Sequence, residues 1–482
     1  MQRDLFVDRV DELNRLSSVL AKRSASLIVV SGRRRIGKSR LIEEFAKGRR
    51  FLAFTGTPPT EKTTRQMQRD LFARQLGAKL GLQSVGAQDW GTLFSLLAKY
   101  TEQGPVTILL DEISWMGSKD PTFLGQLKNA WDLEWKKNPE LILVLCGSVS
   151  TWINKNIISS TAFIGRISLF LDVEELPLHS CHDLLLSRGF HQSIHEEFKI
   201  LAVTGGIPWY LEHIQSSSAD DNLMNLCFRK EGVLFNEFDR IFNDLFEKRS
   251  PIYQSIVTAL AKGALEFTAI CHALGRTKGG TLSGYLDDLI QAKFISKDNT
   301  WTIKSGKSSN LCHYRLSDNF LRFYLKVIEP NRDRILRGGF SSASFLSGWY
   351  GMMGLQFENL VLKNRRKIWK QLGIRPEDIV ADNPYFQRKT STKGGCQIDY
   401  LIQTRLNTLF ACEIKFSMSP LRTDVIGEMK KKIATLPLPK RFSCWPVLIH
   451  VNGVEDSVLE SDYFTKIIDF STFLTPYGVN SQ

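Results

Sequence analysis

The stretch SLIVVSGRRRIGKS, residues 26–39, decides the fold of the first third of this 482-residue chain. Its first half is rich in β-branched and other apolar residues, which predicts a strand buried on both faces. From Ser39 onward the spacing of apolar residues becomes helical, and Gly48 marks the end of that helix. Gly32 and Gly37, between strand and helix, allow the backbone to curl so that its N–H groups point inward.

The segment has the form GxxxxGK[ST], in which such a curled loop holds the phosphates of a nucleotide. We expect Lys38 to reach the β- and γ-phosphates of ATP and Ser39 to place its hydroxyl on a Mg²⁺ ion. The N-terminus of the following helix adds a favourable dipole for an anion. The residues predicted to bind the nucleotide are Gly32, Arg33, Arg34, Arg35, Ile36, Gly37, Lys38, Ser39 and Arg40.

Two further apolar runs, VTILLDEI at 106–113 and LILVLCGS at 141–148, predict additional buried strands and therefore a parallel α/β sheet. Asp111, at the end of the first run, is expected to coordinate the metal, and Glu112 to polarise the water that attacks ATP. Ser148, at the end of the second run, is a candidate sensor of the γ-phosphate. Downstream, Arg166 is either an arginine finger or an ordinary solvated loop arginine.

The remainder of the chain is predicted to be mostly helical as far as residue 245. A helix, a second helix at 280–292 and short strands near 294–295 and 301–303 then favour a winged helix. The 280–292 helix carries acidic residues, so we expect it to make packing or protein contacts rather than to read DNA. A linker is predicted at 331–339, followed by a helix at 354–372.

Near the C-terminus, QIDYLI (397–402) and LFACEIK (409–415) predict a β-hairpin around a turn at 404–407. Alternation places Glu413 and Lys415 on one face, and Asp399 comes from the paired strand. Two carboxylates with a lysine are able to hold Mg²⁺ and to promote water attack on a phosphodiester. The alternative is that these are ordinary solvated charges on hairpin strands.

Several segments together resemble the bacterial and archaeal DEXX-box ATPases of the AAA+-related STAND group. They are FVDRVDEL at the start, GRRRIGKS, LLDEI, LCGS, a GR pair and TGGIPWYL. The resemblance covers most of the chain and implies a winged helix and a nuclease-like C-terminal domain. It places residues 6–9 near the adenine and Pro208 in a lid motif. Asp8 stands where the family commonly has Gly, and FIGR replaces the frequent LYGR around Arg166.

The C-terminal acids also resemble the site of the PD-(D/E)XK nuclease superfamily, in which a helical Glu precedes an Asp and an ExK sequence. The resemblance implies catalytic roles for Glu358, Asp399, Glu413 and Lys415, with Asp399 and Glu413 as metal ligands. The expected fold is an α/β P-loop NTPase with a parallel sheet, then a helical lid, a winged helix and an α/β restriction-endonuclease-like domain. The predicted boundaries are 1–170 for the ATPase core, 171–249 for the lid, 250–330 for the winged helix and 340–482 for the nuclease-like domain.

Composition narrows the partners of the chain. A formal net charge of +13 suits a polyanion, and nucleic acid, DNA above all, is the expected partner. The eight cysteines are scattered without a CxxC pair, and no apolar run reaches the ~18 residues of a membrane span. We therefore expect a reduced, cytoplasmic protein without a membrane partner. A homo-oligomer or protein partner is expected to use the ATPase and winged-helix domains.

Three functions fit these patterns. The first is an ATP-dependent nuclease in which the nucleotide state controls Mg²⁺-dependent cleavage of DNA. The second is a STAND-type signalling switch whose C-terminal domain is an effector or docking module. The third is a DNA-binding regulator with a silent nuclease fold. The motifs leave all three open, and slow ATP hydrolysis agrees with them as well as fast turnover does.

Overall fold

The computed structural model describes residues 6–148, 150–246, 249–389 and 394–475. The chain forms two compact units. The first unit comprises 1–176, 207–209 and 240–250, and the second comprises 177–206, 210–239 and 251–482. The regions predicted as lid, winged helix and nuclease-like domain therefore fall mainly into one unit.

The first unit is built on a parallel sheet of five strands. The strands are β1 (Ser26–Gly32), β2 (Arg50–Thr55), β3 (Val106–Asp111), β4 (Ile142–Gly147) and β5 (Ile167–Val173), in the order β2-β3-β4-β1-β5. The three apolar runs thus form β1, β3 and β4, which confirms the predicted parallel sheet. The predicted boundary at residue 170 falls within β5, which continues to Val173 and pairs with β1.

Helices cover the sheet of the first unit. A group of buried aromatic rings, including Phe72, Trp90, Phe94 and Phe123, packs over β2 and β3 and stabilises this side of the core. The helices are α1 (Val10–Leu20), α2 (Lys38–Phe45), α3 (Arg65–Leu80), α4 (Trp90–Lys99), α5 (Ile113–Met116), α6 (Phe123–Leu133) and α7 (Ser150–Ile153).

The chain from 177 to 336 is largely helical, as predicted, and includes one small antiparallel sheet. The helices are α8 (Leu178–Ser187), α9 (Ile194–Thr204), α10 (Pro208–Leu211), α11 (Ala219–Cys227), α12 (Glu237–Phe246), α13 (Ser250–Leu260), α14 (Phe267–Ala273), α15 (Gly280–Gln291), α16 (Asn319–Phe323) and α17 (Arg332–Leu336). The sheet has the order β6-β8-β7, from β6 (Leu265–Glu266), β7 (Ile295–Thr302) and β8 (Lys307–Leu316).

Two predictions for this region are wrong. One strand, β7, runs through both places that were read as short strands, near 294–295 and 301–303, and its partner β8 was not predicted. The predicted linker at 331–339 contains α17 instead, because Ile335 is buried and the Arg332 guanidinium stacks on the Phe235 ring. The assignment of 250–330 as a winged helix stays a prediction, although three helices and an antiparallel sheet do follow in the expected order.

The C-terminal part of the second unit is a mixed sheet in the order β13-β12-β11-β10-β9. Its strands are β9 (Ile379–Gln387), β10 (Cys396–Thr404), β11 (Thr408–Phe416), β12 (Ser443–Val451) and β13 (Lys466–Asp469), and its helices are α18 (Ser342–Lys363), α19 (Arg365–Gln371), α20 (Asp424–Thr435) and α21 (Asp456–Glu460). The predicted hairpin is confirmed as β10 and β11. The prediction of a single helix at 354–372 is wrong. Helix α18 begins earlier and ends at Lys363, and a separate helix, α19, begins after Asn364.

A buried polar network joins α18 to the segment that follows β8. The fully buried Arg322 guanidinium donates to the carbonyls of Leu316 and Leu355 and to Oε1 of Gln356. The Gln356 amide in turn donates to the carbonyl of Asn319 at 2.8 Å. Burial, together with the charge of Arg315, lowers the pKa of Arg322 to about 9, so the group stays protonated at neutral pH. Arg322 thus supplies hydrogen bonds to three acceptors that lie on two segments of the chain.

Replacing Arg322 with alanine is expected to destabilise the second unit by at least about 3 kcal/mol, because Oε1 of the buried Gln356 loses the donor described for it and a large, fully buried side chain is removed. The melting temperature of the full chain should fall by about 6 °C or more, as measured by differential scanning fluorimetry. Arg366→Ala, on the exposed side of α19, is the matched control and should leave the melting temperature unchanged. Equal melting temperatures for the two variants would show that the network contributes nothing to stability.

The β7–β8 hairpin packs against the C-terminal sheet. Trp301 Nε1 donates to Oε1 of Gln403 at 2.6 Å, and the Gln403 amide donates to the Ile303 carbonyl. The Arg388 guanidinium pairs with Glu266 on β6. Trp301 and Ile303 share one apolar core with the strands and α20.

Among the helices of the described ranges, none is long and apolar enough to cross a membrane.

Candidate functional site

The loop between β1 and α2 has the curled backbone that its glycines predict. Gly32 has a φ of 151°, and a Cβ there would lie 2.6 Å from the Val173 carbonyl oxygen, so only glycine fits. Gly37 has a φ of 89° and Arg35 one of 67°, both in the left-handed region. This region is costly for a residue with a side chain, so the strain at Arg35 is held by the surrounding structure.

Lys38 is the central charge of this loop. Its buried ammonium donates to the carbonyls of Gly32 at 2.9 Å and Arg33 at 3.2 Å, and to Oγ of Ser148 at 2.9 Å. The ammonium therefore lies inside the curl of the loop, where phosphate oxygens are expected to bind. The position agrees with the role predicted for Lys38.

Ser39 and Asp111 meet although they lie far apart in the sequence. The Ser39 hydroxyl donates to Oδ2 of Asp111 at 2.5 Å. A hydroxyl and a carboxylate oxygen are ligands that suit Mg²⁺, which prefers oxygen donors and keeps several waters. The two residues therefore fit the metal that a bound nucleotide would bring.

Glu112 is turned toward the strand between β1 and β3. Its backbone is left-handed, with a φ of 49°, and its carboxylate accepts from the Ser148 hydroxyl at 2.8 Å and from the Ser148 N–H at 3.1 Å. Ser148 lies directly after β4. In the sheet, β4 lies between β1, which leads into the loop of Lys38, and β3, which leads into Glu112. This strand order explains why one serine contacts both groups.

The arginines of the loop are engaged with later segments of the chain. Arg34 forms an ion pair with Asp244 on α12, and the Arg35 guanidinium lies 3.3 Å from the centre of the Trp209 ring. Pro208 Cγ is 4.0 Å from the point that a Cβ on Gly37 would occupy. The segments 207–209 and 240–250 belong to the first unit for this reason. Arg33 is buried and Arg40 is exposed, and nucleotide contacts by these arginines stay a prediction.

The start of the chain supports the loop from behind. The buried Arg9 donates to the Ile36 carbonyl at 3.1 Å and pairs with Glu12 at 2.9 Å. Asp8 and Arg9 both have positive φ, 58° and 67°. The left-handed backbone at position 8 is the reason that glycine suits this place in the resembling family. Proximity of residues 6–9 to the adenine stays a prediction.

Arg166 is held on its own domain. Its guanidinium binds both carboxylate oxygens of Asp132 on α6, at 2.9 and 2.8 Å. The hydrogen bonds from Arg166 lower the pKa of Asp132 well below its usual range despite partial desolvation. This pairing was not predictable from the sequence pattern, because a single acid on a helix is usually an ordinary solvated charge. The structure thus gives Arg166 a partner within the chain, and action on a neighbouring ATPase stays a prediction.

The C-terminal acids Asp399 and Glu413 both contact Lys432, and their role as a nuclease-like site stays a prediction. Asp399 on β10 accepts from the Ile414 N–H at 3.0 Å, and Glu413 on β11 has a fully buried side chain. Lys415 Nζ lies 3.1 Å from Oε1 of Glu413 and 2.7 Å from Oε2 of Glu428 on α20. These two acids raise the pKa of Lys415 although burial opposes the shift. Glu428 was not predicted as part of the cluster.

Lys432 is the second residue that the sequence did not indicate as a partner of the acids. Its ammonium donates to Oε2 of Glu413 at 2.6 Å and to Oδ1 of Asp399 at 3.1 Å. Helical periodicity accounts for its direction, because Lys432 comes one turn after Met429, which is buried in the apolar core. The preceding Lys430 and Lys431 are exposed. A run of three lysines does not reveal which of them faces the sheet.

Glu358 on α18 lies within electrostatic range of Asp399. Burial, and then the negative charge of Asp399, raise the pKa of Glu358 to about 7. Within the described ranges, no three His, Cys, Asp or Glu side chains are placed to ligate one ion. Asp399 and Glu413 nevertheless fit a divalent cation as a pair, because their oxygens already share one positive charge, and Mg²⁺ is bound by as few as one or two carboxylates.

Comparison with known proteins agrees with the architecture of the first unit. A family model described as an ATPase domain predominantly from Archaea matches residues 6–214. An uncharacterised protein of Methanocaldococcus jannaschii is 27% identical over 359 residues, which cover 74% of this chain and 76% of that protein.

The Walker-type ATPase of Pyrococcus abyssi superposes with a TM-score of 0.51 at 19% identity, covering 68% of this chain and 97% of that one. The ORC2 protein of Aeropyrum pernix, in its ADPNP–ADP complexes, gives a TM-score of 0.46 at 14% identity over 70% of this chain and 96% of that one. The loop geometry and the family match together support a nucleotide-binding P-loop ATPase domain within residues 6–214.

Proposed function

We propose that this chain hydrolyses ATP with Mg²⁺ and that its nucleotide state controls a C-terminal, nuclease-like site that acts on DNA. The observation that carries the proposal is the convergence of Asp399 and Glu413 from paired strands onto a single cation. Such a pair is suited to bind a divalent ion beside a phosphodiester. When bound, the ion would polarise the phosphoryl oxygen and lower the pKa of a water.

The chain's own residues supply the remaining requirements of this site. The buried Glu413 carboxylate is fixed by its strand, and the Ile414 N–H holds the Asp399 carboxylate in place. Lys415 brings a positive charge that is able to bind a phosphate oxygen of the substrate. The net charge of +13 favours a polyanionic substrate.

The link to ATP rests on the course of the chain around α9. The Ala202 carbonyl on α9 accepts from the Gln356 amide at 2.8 Å, and Gln356 is close to Glu358 on α18. Shortly after α9 the chain reaches Pro208, which lies near Gly37 of the phosphate loop. A movement of the 205–208 segment on ATP binding would therefore act on the helix that carries Glu358. This route supports nucleotide control of the acidic site.

The test uses supercoiled plasmid DNA, Mg²⁺ and the full chain, with and without ATP. We expect cleavage that depends on ATP and that falls at least about 100-fold in Glu413→Gln, while ATP hydrolysis is retained. Glu460→Gln, an exposed acid on α21, is the matched control and should cleave normally. DNA that stays intact with the unaltered chain under both conditions would rule out cleavage.

The second candidate is a STAND-type switch or DNA-binding regulator with a non-cleaving C-terminal domain. The position of Lys432 between Asp399 and Glu413 favours it, because the acids already have a counter-ion. ATP-dependent assembly or DNA binding without strand cleavage, measured by light scattering and gel shift, would support this candidate.

A further inference from the structure

We propose that Lys432 closes the acidic site, and that a divalent cation binds between Asp399 and Glu413 only when the Lys432 ammonium leaves. The inference rests on the proposed function, because it concerns the same pair of acids. It adds a residue of α20 as a positioning residue that determines when the site accepts a metal.

The first argument is the place of the ammonium. Nζ of Lys432 lies 2.6 Å from Oε2 of Glu413 and 3.1 Å from Oδ1 of Asp399, so one cation already joins the two strands. Mg²⁺ and Mn²⁺ also need these oxygens, since buried carboxylates are the hard ligands of the site. Two cations at one pair of oxygens repel each other strongly where water is largely excluded. The ammonium and the metal therefore compete.

The second argument is the charge balance of the cluster. Glu413 is fully buried and would be costly without a counter-ion, which Lys432 supplies. Lys415 lies near the other oxygen of Glu413 but is also bound by Glu428. Each oxygen of the buried Glu413 carboxylate thus already has an ammonium close to it. A divalent ion must replace a favourable contact rather than enter a vacant negative site.

The third argument is that Lys432 has somewhere to go. Its side chain is 27% exposed, whereas the side chain of Glu413 is not exposed at all. A lysine has a long flexible stem, so its ammonium is able to reach water without any movement of the α20 backbone. The apolar residues Val425, Ile426 and Met429 keep the helix on the sheet while Lys432 changes position. Exchange of ammonium for metal requires only a change of rotamer.

The test measures Mn²⁺ binding to the nucleotide-free full chain by electron paramagnetic resonance, and Glu413→Gln defines the signal of this site. Lys432→Gln, whose amide is still able to donate a hydrogen bond to Glu413, is expected to bind Mn²⁺ at least tenfold more tightly. The exposed neighbour Lys431→Gln should bind like the unaltered chain. Lys432→Gln combined with Glu413→Gln should lose the gain. Unchanged or weaker binding by Lys432→Gln would overturn the proposal.

A second measurement needs no substitution at Lys432. Mn²⁺ at concentrations that saturate the Glu413-dependent signal should increase labelling of Lys432 by an amine-reactive reagent, read by mass spectrometry, with Lys431 as the internal reference. Mn²⁺ binding without increased labelling would show that the lysine does not leave.

The outcomes separate this proposal from the proposed function. Tighter Mn²⁺ binding by Lys432→Gln without DNA cleavage supports the closing role and removes the nuclease. Cleavage that depends on Glu413, with unchanged Mn²⁺ affinity in Lys432→Gln, supports the nuclease and removes the closing role of Lys432.

Discussion

Replacing Lys38 with alanine is expected to reduce ATP hydrolysis by about 100- to 1000-fold, because the loop loses the charge that stabilises the transferred phosphoryl group. The Lys38 ammonium occupies the inside of the loop and contacts two loop carbonyls and Ser148. The substitution therefore removes the ammonium from the place where the γ-phosphate is expected to bind. Phosphate release and binding of a fluorescent ATP analogue are the measurements.

Lys47→Ala is the control for this substitution. Lys47 lies just beyond the same helix, is exposed and forms an ion pair with Glu44. Its loss should change neither ATP binding nor hydrolysis, since exposed ion pairs contribute little. If Lys38→Ala turned over ATP at the rate of Lys47→Ala, the phosphate site would have to lie elsewhere.

Glu112→Gln is expected to separate binding from hydrolysis. The amide keeps the shape of the side chain but is unable to accept a proton from water, so hydrolysis should fall about 100-fold or more. ATP affinity should stay close to that of the unaltered chain, because Ser39 and Lys38 are unchanged. Single-turnover hydrolysis and equilibrium binding are both required to see the difference.

The exposed Glu43→Gln on α2 controls for the loss of one negative charge near the site. The contact of Glu112 with Ser148 sharpens the expectation. The Glu112 carboxylate accepts hydrogen bonds from the Ser148 hydroxyl and N–H. Full hydrolysis by Glu112→Gln would assign the base to another residue.

Much of the first unit was predictable from sequence, because its signals are local. The loop of residues 32–39, the buried runs of β1, β3 and β4, and the acids after β3 all lie in contiguous segments with strong patterns. The placement of β4 between β1 and β3 was not predictable, since strand order depends on long connections. Ser148 contacts both Lys38 and Glu112 only because of that order.

The second unit was less predictable because its decisive contacts join distant segments. Arg322 and Gln356 have polar side chains that the sequence pattern assigns to the surface, yet both are fully buried and satisfy each other. Lys432 faces the acids because the packing of α20 on the sheet determines which side of the helix is turned toward the strands. The sequence pattern predicted the two acids but did not predict that Lys432 joins them.

The attachment of the β7–β8 hairpin to the C-terminal sheet has a consequence for how this protein is divided or recombined. Trp301 and Ile303 are part of the apolar core of that sheet, and Gln403 is satisfied by the hairpin. A fragment that starts at residue 340 would expose an apolar face and leave the Gln403 amide without its partners. The C-terminal domain is therefore not an interchangeable cassette, and exchange of this domain between relatives should succeed only when the hairpin moves with it.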